Sequence, residues 1–345
     1  MIRQEKRLLL LCNGSKQKTT GRLFTALSGK LSKKYSVEIH LRDFPSGILR
    51  KIPILIRTEF VNCIRVLKSD VLILHSALSL SLFTIIFARL TGRKVIAFIW
   101  DFYPASSRLM GNIRNPALLF LYGLTEKFAY SCVHILLVPT QDYERYPDIF
   151  HRNNVRLFPL WPCDPTIPIP NKELSTTELS IAFAGQINAI RGLTPTVQFL
   201  LNSTTKRIVL HIFSADPIAD DLANFSKSHQ RLDIIHHGFV KPEILQQKLS
   251  QMNFGLVSLD PNFRMPSFPS KIMAYLSAGI AVLYDGPKMP GLERVLSQNN
   301  IGLTAEQLTK LSQLQIECFL TEFPQARDRY FASIQMSWSE FDNFL

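Results

Sequence analysis

The sequence has few cysteines and no paired spacing among them. Its five cysteines, Cys12, Cys63, Cys132, Cys163 and Cys318, are odd in number and widely spaced, and no two form a Cys-x-x-Cys pair. This spacing argues against a disulfide framework and against a cysteine-based zinc site. The cysteine pattern therefore favours a reducing compartment such as the cytoplasm.

Acidic residues are scarce in the first part of the chain. Residues 1–100 contain 18 lysines and arginines against 5 aspartates and glutamates, whereas the remaining residues contain 21 against 22. The excess behind the formal net charge of +12 therefore originates in the first hundred residues. An anionic partner, either nucleic acid or an anionic lipid surface, is expected to meet this part of the protein.

Long apolar runs are also missing, apart from an uncharged segment of 18 residues at 71–88. Its length is at the lower limit for a membrane-spanning helix. His75, Ser76 and Thr84 interrupt it, and VLIL followed by a helical pattern predicts a buried strand that leads into a helix. The apolar run at 8–12 is too short for a signal peptide and predicts a first strand.

Short apolar runs alternate with helix-length amphipathic segments in both halves of the chain. This alternation predicts parallel sheets with helices on their faces. A proline-rich segment, 157–170, interrupts the alternation and is interpreted as a connector between domains. The predicted strands contain the runs 8–12, 37–41, 71–74, 95–100 and 135–139 in the first half, and 179–185, 207–213, 232–238, 254–260 and 281–286 in the second.

The predicted fold class is α/β, with two Rossmann-like parallel-sheet domains that face each other across a cleft. We predict an amino-terminal domain over 1–165, a second domain over 174–325, and a carboxyl-terminal helix over 326–345 that packs back on the first domain. Ligands bind outside the carboxyl ends of the strands in open α/β sheets. The active site is therefore expected between the two domains.

Two strand-to-helix turns are candidate phosphate-binding segments. NGSKQKTTGRLF at 13–24 places Gly14 where the backbone can turn tightly and approach a ligand. AGQINAIRGL at 184–193 is the equivalent turn in the second half, and its Arg191 offers a charge-assisted, bidentate grip on a diphosphate. Neither turn contains Gly-x-Gly-x-x-Gly or a Walker loop. An ordinary turn and an exposed arginine remain the alternatives.

The segment FRMPSFPSKIMAYLSAGIAVLYDG at 263–286 is the most informative in the chain. Ser267 or Ser270 can cap a helix that begins near Ser270, with Lys271 in its first turn. A lysine there opposes the helix dipole, which favours anions at the amino terminus. The conflict indicates that Lys271 and the helix start share an anionic ligand.

Together with WDFYP at 100–104, HHGFV at 236–240 and the tail SWSEFDNFL, these motifs resemble a known family over nearly the whole chain. The family is the GT-B glycosyltransferases that build bacterial polysaccharides and lipid-linked glycans, the family 4-like group. The resemblance implies a nucleotide-diphosphate sugar, with uridine favoured, held mainly by the second domain, and an acceptor bound mainly by the first. The predicted donor-binding residues are Gly14, Gly185, Arg191, Gly238, Val240, Ser270 and Lys271.

Asp101 is the candidate catalytic residue, because the matching segment of the family often carries an acidic or histidine residue that faces the acceptor. It ends an apolar strand, where a carboxylate can accept the proton of an attacking hydroxyl. In an inverting reaction Asp101 would be the general base. In a retaining reaction it would position the acceptor while the donor phosphate takes the proton. An aspartate that caps a helix is the structural alternative.

The chain departs from the family pattern at three positions. Many members carry two glutamates spaced eight apart, and Pro266 and Ala274 occupy those places here. Recognition of the ribose by a carboxylate is therefore in doubt. Gln186 stands where many members have an arginine directly after the glycine of the diphosphate turn.

No metal site is expected from the sequence. It contains no Asp-x-Asp, so we expect a metal-independent transfer in which Arg191 and Lys271 stabilise the leaving diphosphate. His236 and His237 are adjacent and point in different directions, so they are interpreted as strand-end residues. Apart from the sugar nucleotide, we expect no cofactor.

Residues 48–68 mix basic and apolar side chains as interfacial helices do, although Pro53 is expected to interrupt a single helix. Each basic residue near an anionic leaflet contributes about 1 kcal/mol. From this charge we expect a cytoplasmic protein associated with the inner face of the membrane. The family resemblance further implies a lipid-linked acceptor and a role in cell-surface polysaccharide or lipopolysaccharide synthesis. A core-packing helix with a solvated basic face is the alternative.

Three other functions fit part of the sequence. A catalytically inactive relative that serves as a binding or regulatory subunit would account for the missing glutamates. A nucleotide-sugar epimerase of similar fold would need no acceptor. Nucleic-acid binding is suggested by charge alone, without aromatic interleaving or a known motif, so we expect no nucleic-acid partner.

Overall fold

The computed structural model describes residues 5–43, 48–109, 111, 113–147, 149, 152–169 and 178–345. The chain forms two compact units. The first comprises Met1–Cys163, Met265–Ser267 and Met336–Leu345, and the second comprises Asp164–Arg264 and Phe268–Gln335. The division after Cys163 falls inside the proline-rich segment, whereas the predicted domain start at residue 174 lies outside the described residues.

The first unit is built on a parallel sheet with the strand order β2-β1-β3-β4-β5-β6 in its described residues. The strands are β1 (Arg7–Asn13), β2 (Ser36–Arg42), β3 (Val71–His75), β4 (Lys94–Phe98), β5 (Ile135–Val138) and β6 (Val155–Leu157). The helices are α1 (Thr19–Leu31), α2 (Ile48–Leu67), α3 (Leu82–Leu90), α4 (Ala105–Leu109), α5 (Pro116–Cys132) and α6 (Gln141–Glu144). The apolar residues of β1, β3 and β4 are buried, as expected for strands covered on both faces.

The second unit contains another parallel sheet, with the order β12-β11-β10-β7-β8-β9 in the described residues. The strands are β7 (Glu178–Ala184), β8 (Arg207–Phe213), β9 (Leu232–His236), β10 (Phe254–Ser258), β11 (Ala281–Asp285) and β12 (Gly302–Thr304). The helices are α7 (Leu193–Ser203), α8 (Asp220–Lys227), α9 (Pro242–Leu249), α10 (Lys271–Ser277), α11 (Pro290–Gln298), α12 (Ala305–Lys310) and α13 (Gln313–Phe341). The last residues of α13, from Met336 onward, belong to the first unit.

The predicted α/β class with two parallel sheets is confirmed. Each apolar run singled out in the sequence forms a strand, and all of the paired strands are parallel. The sequence analysis missed β6 and β12, because strands of three residues do not show a periodic pattern.

The end of the chain packs within the first unit. The ring of Trp338 lies 4.8 Å from that of Phe158 and 5.1 Å from that of Trp161, measured between centroids. Asp342 accepts hydrogen bonds from Lys34 Nζ at 2.6 Å and from the Tyr35 hydroxyl at 3.0 Å. The helix that leads to these residues is longer than the predicted 326–345, because α13 continues unbroken from Gln313 to Phe341.

The expected interruption at Pro53 does not occur, because α2 runs from Ile48 to Leu67 with the proline inside it. Pro53 is the sixth residue of the helix, so the missing amide removes a single backbone hydrogen bond near the amino end. The prediction of a broken helix was therefore wrong.

The uncharged segment 71–88 forms strand β3, a short 3-10 helix at Leu78–Ser81 and most of α3. The prediction of a buried strand that leads into a helix is therefore confirmed. Among the described residues, no helix combines the length and the apolar character that crossing a bilayer requires.

Candidate functional site

A glycine turn ends the central strand β7 of the second unit. Gly185 follows the strand with φ +129°, a conformation that L side chains rarely adopt, and its amide donates to Phe213 O at 3.0 Å. A methyl group on Gly185 would lie 3.4 Å from Nζ of Lys271. The glycine therefore exposes the backbone next to a lysine, which is the arrangement an anionic ligand requires.

Lys271 begins helix α10 and directs its ammonium group into the protein. Its Nζ is buried, lies 4.0 Å from the centroid of the Phe183 ring, and has no hydrogen-bond acceptor among the described residues. Burial and, second, the positive charge of Arg191 hold the pKa of Lys271 well below its ordinary value of 10.5. The aromatic ring gives a partial cation–π interaction but accepts no conventional hydrogen bond.

Arg191 closes the short 3-10 helix at Ala189–Arg191, directly after the Gly185 turn. Gly192 follows with φ +56°, and a methyl group there would approach Cα of Asp260 to 3.2 Å. The amide of Asp260 also donates to Ile190 O at 2.7 Å. The backbone of the Arg191 turn is therefore packed directly against the segment that follows strand β10.

Three buried or half-buried polar side chains, those of Ser258, Thr196 and Asp285, form a hydrogen-bond network that reaches the backbone of this turn. Ser258 donates its hydroxyl proton to Arg191 O, and its oxygen lies 3.0 Å from the hydroxyl of Thr196. The Thr196 hydroxyl also lies 2.5 Å from Oδ2 of Asp285. Burial raises the pKa of Asp285, and the hydrogen bond from Thr196 partly offsets this rise. The sequence analysis quoted the strands that end in Ser258 and Asp285 but assigned these residues no role.

Ser270 occupies the position before the first residue of α10, as predicted, but its hydroxyl makes no capping hydrogen bond. Its backbone is already helical, with φ −60° and ψ −20°, whereas a capping serine needs an extended backbone to reach the free amides. Of the two serines predicted as candidate caps, Ser267 and Ser270, Ser270 therefore does not cap the helix.

Gly238 and Val240 lie in the turn after β9, at the same edge of the sheet as Gly185. Gly238 has φ +68° and lies two strands away from Gly185 in the sheet order. His237 stacks on the ring of Phe213 with centroids 4.4 Å apart, and its Nε2 lies 3.0 Å from Nδ1 of His211. These contacts hold the turn in place and leave Val240 half-buried.

In the first unit, Gly14 follows strand β1, as predicted, but it is not the glycine that the turn requires. A methyl group on Gly14 would meet only ordinary contacts, 3.5 Å from the Gly21 amide nitrogen. A methyl group on Gly21 would instead overlap the carbonyl of Ser15. The close approach of helix α1 to the turn therefore depends on Gly21.

Asp101 is exposed at the carboxyl edge of the first sheet, three residues after β4. Its amide and that of Trp100 both donate to the hydroxyl oxygen of Ser76, at 2.9 and 2.8 Å. The amide of Ser76 donates in turn to Phe98 O. Ser76, which the sequence analysis did not select, therefore fixes the backbone that presents Asp101.

Two other titratable side chains at this edge, those of His75 and Glu126, accept hydrogen bonds from backbone amides. Asn13 donates its amide proton to Nε2 of His75 at 2.8 Å, and burial together with the Arg42 charge lowers the pKa of His75 to about 3. His75 is therefore neutral. Glu126 is buried and accepts from the amides of Leu78 and Ser79 at 2.9 and 2.8 Å.

Within the described residues, no group of three or more histidine, cysteine, aspartate or glutamate side chains is arranged to hold a metal ion. His236 is the last residue of strand β9, and His237 follows it directly, as predicted for strand-end residues. The chain matches no protein-family model, and no curated protein is similar to it in sequence at a significant level.

Solved structures show the fold more clearly than the sequence does. The chain is similar to sucrose-phosphate synthase from Thermosynechococcus elongatus, with a TM-score of 0.64 and 13% identity over 98% of both chains. It is also similar to a putative UDP-N-acetylglucosamine 2-epimerase from Listeria monocytogenes, with a TM-score of 0.51 and 12% identity over 97% of both chains. The two parallel sheets and these similarities establish the GT-B fold.

Proposed function

We propose that this chain is a glycosyltransferase that takes its sugar from a nucleotide diphosphate bound by the second unit. The observation that supports the proposal most strongly is the buried ammonium of Lys271, which has no acceptor in the described residues. A buried charge without a partner costs several kcal/mol unless an anion compensates it. A diphosphate at the Gly185 turn would supply that anion.

The donor site would consist of the six predicted residues that lie in the second unit, Gly185, Arg191, Gly238, Val240, Ser270 and Lys271, of which two are cationic. Lys271 and Arg191 would stabilise the negative charge that develops on the leaving diphosphate. Gly185 would allow the phosphates to approach the backbone, because a side chain there would fill the space beside Nζ of Lys271. We propose that these groups replace a metal ion, and that turnover continues in the presence of EDTA.

The acceptor would be bound by the first unit, with Asp101 as the catalytic residue. Its carboxylate would accept the proton of the attacking hydroxyl in an inverting reaction, or orient that hydroxyl in a retaining one. The exposure of Asp101 and the rigid backbone behind it support either role. We propose a lipid-linked glycan as the acceptor, a hexose as the transferred sugar, and an inner membrane surface in the cytoplasm as the place of the reaction.

A thermal-shift panel tests the donor site. Wild type, Lys271→Met and Lys227→Met would be heated with uridine, guanosine, adenosine and thymidine diphosphates and their sugar conjugates. A ligand at about 100 times its Kd stabilises the fold by about 2.7 kcal/mol. We expect a uridine nucleotide to stabilise wild type and the exposed-lysine control Lys227→Met, but not Lys271→Met.

The alternatives give different results. No response of wild type to any nucleotide would refute the donor site and favour a catalytically inactive relative. A response to a uridine sugar, followed by its conversion to an isomer without an acceptor, would favour an epimerase. Loss of transfer in Asp101→Asn with the nucleotide response retained would support the proposed catalytic role.

A further inference from the structure

The helices on one side of the first sheet turn apolar side chains outward. On α5, Phe120, Leu121, Leu124 and Phe128 follow one another at helical spacing, and Phe120 is 69% exposed. The opposite side of the same helix is buried and includes Glu126. The exposed stripe is therefore a second apolar surface of α5, distinct from the one that faces the core.

The neighbouring helices continue this surface. On α3, Phe83 and Leu90 lie seven residues apart and are 72% and 80% exposed. Helix α3 packs against both α2 and α5, so the three helices form one layer. The apolar face of this layer consists of Ile56, Phe60, Ile64 and Leu67 on α2, Phe83 and Leu90 on α3, and Phe120, Leu121, Leu124 and Phe128 on α5.

The exposed charges that the three helices themselves carry have one sign. Outside the helices, Glu38 pairs with Arg65 and Asp70 pairs with Arg93. The three helices contain two acidic residues, Glu59 and Glu126, and both are buried. Arg57, Arg89 and Lys127 are exposed at the surface of the same layer. A partner for this layer must therefore combine an apolar interior with anionic groups at its boundary.

We propose that the apolar face of α2, α3 and α5 docks the protein on an anionic lipid bilayer by inserting these side chains among the lipids. Acyl chains match the apolar stripe, and anionic headgroups match the basic rim. A protein partner would be expected to meet exposed groups of both signs, whereas the exposed charged side chains of these three helices are basic. This docking deepens the proposed function and rests on it for the lipid-linked acceptor. It involves helices α3 and α5, which the sequence analysis did not include.

Vesicle flotation tests the proposal. Wild type would be mixed with vesicles of phosphatidylcholine and phosphatidylglycerol, and with phosphatidylcholine alone, at low and high salt. We expect binding to the anionic vesicles that high salt weakens but does not abolish, because the inserted side chains are not screened. Binding that disappears entirely at high salt would contradict insertion.

The double variant Phe120→Ser and Phe128→Ser would remove the centre of the stripe from α5. Since each phenylalanine transfers a large apolar area, we expect the partition coefficient to fall by more than about tenfold. Leu314→Ser, at an apolar residue of the second unit that is 74% exposed and lies outside the proposed donor site, is the control and should bind as wild type does. Leu90→Ser on α3 gives an independent variant at an exposed position, with circular dichroism to verify folding.

Each result has one meaning. Equal flotation of wild type and the double variant would overturn the proposal, and so would failure of wild type to float at low salt. A lipid-free dimer that the double variant dissociates would show that a second copy covers the face instead. The nucleotide thermal shift is measured in parallel: flotation without a nucleotide response would refute the proposed function and leave the docking face standing.

Discussion

Each unit buries a basic side chain near the carboxyl edge of its sheet, but the two side chains have opposite surroundings. In the first unit, Arg42 at the end of β2 pairs with Glu59 at 3.0 Å and donates to Ser81 Oγ at 2.5 Å. In the second unit, the ammonium of Lys271 has no acceptor in the described residues. The paired cation is part of the fold, whereas the cation without an acceptor indicates a place for an anion from outside.

The two units also differ in how their exposed large apolar side chains are distributed. Large apolar side chains in the second unit, such as Phe199, Ile244 and Leu314, are exposed singly on different helices. Isolated exposed side chains of this kind are normal for a folded protein. In the first unit, they lie on three helices that pack against one another, and the exposed charged side chains of those helices are basic. A contiguous patch needs a partner, whereas scattered residues do not.

The largest expected effect is the loss of the paired cation. Arg42→Met leaves Glu59 buried with the Thr84 amide, 3.0 Å away, as its remaining hydrogen-bond donor among the described residues. Breaking a buried ion pair at one partner costs about 3–5 kcal/mol. We expect the free energy of unfolding of the first unit to fall by this amount, measured by denaturant titration with hydrogen exchange to locate the loss.

Arg57→Met is the control for this substitution, since Arg57 is exposed on α2. It should change the free energy of unfolding by less than about 0.5 kcal/mol. Equal effects of the two substitutions would contradict a structural role for the Arg42 pair.

The second-largest expected effect is a gain in the free energy of unfolding. Lys271→Met replaces a buried ammonium by an apolar group of similar length, so we expect the nucleotide-free protein to gain roughly 1–3 kcal/mol in stability. The gain should be largest at low pH, where wild-type Lys271 is charged. It should shrink as the pH rises from the lowered pKa towards 10.5, because there the unfolded state binds the proton more strongly than the folded state.

Denaturant titration of wild type and Lys271→Met over a pH series measures the difference between their free energies of unfolding. Lys227→Met, at an exposed lysine of α8, should show no gain. A loss of stability in Lys271→Met would mean that the fold needs this ammonium, and the comparison with Arg42 would fail.

A smaller effect is expected from the support of the Arg191 turn. Ser258→Ala removes the hydroxyl that donates to Arg191 O and that lies beside Thr196. One such hydrogen bond contributes about 1 kcal/mol, so the nucleotide Kd should rise by about fivefold. Calorimetric titration measures the Kd. Ser277→Ala is the control, because that buried hydroxyl has no partner in the described residues, and it should leave the Kd unchanged.

The smallest effect concerns the missing arginine of the family pattern. Gln186 is exposed directly after Gly185, so Gln186→Arg adds a cation at the rim of the donor site. We expect a gain of about 0.5 kcal/mol in nucleotide binding, lost at high salt because the added charge is solvated. Gln230→Arg, exposed before β9, is the control. An equal gain in both variants would indicate a general charge effect.

The sequence pattern predicted the parts of the molecule that depend on neighbouring residues. The apolar runs predicted ten of the twelve strands now described, and the conflict of Lys271 with the helix dipole drew attention to a residue whose ammonium is indeed buried. The cap expected at Ser270 failed because backbone angles at a helix start depend on the preceding loop.

Other features depend on distant residues and left no local signal. Thr196 is 62 residues from Ser258 and 89 residues from Asp285, so their network exists only after the sheet has formed. The outward stripe of α5 was missed for another reason. Both sides of that helix are largely apolar, and a sequence pattern does not state which side meets the core.

The most direct test of the donor site is the titration of Lys271 itself. The protein would be labelled with 13C at the lysine ε-carbons, with Lys271→Met to assign the signal, and titrated with and without uridine diphosphate. The account predicts an apparent pKa well below 10.5 in the free protein and a clear rise when the nucleotide binds, because the diphosphate stabilises the ammonium. An ordinary pKa in the free protein, or a lowered pKa that the nucleotide leaves unchanged, would contradict it.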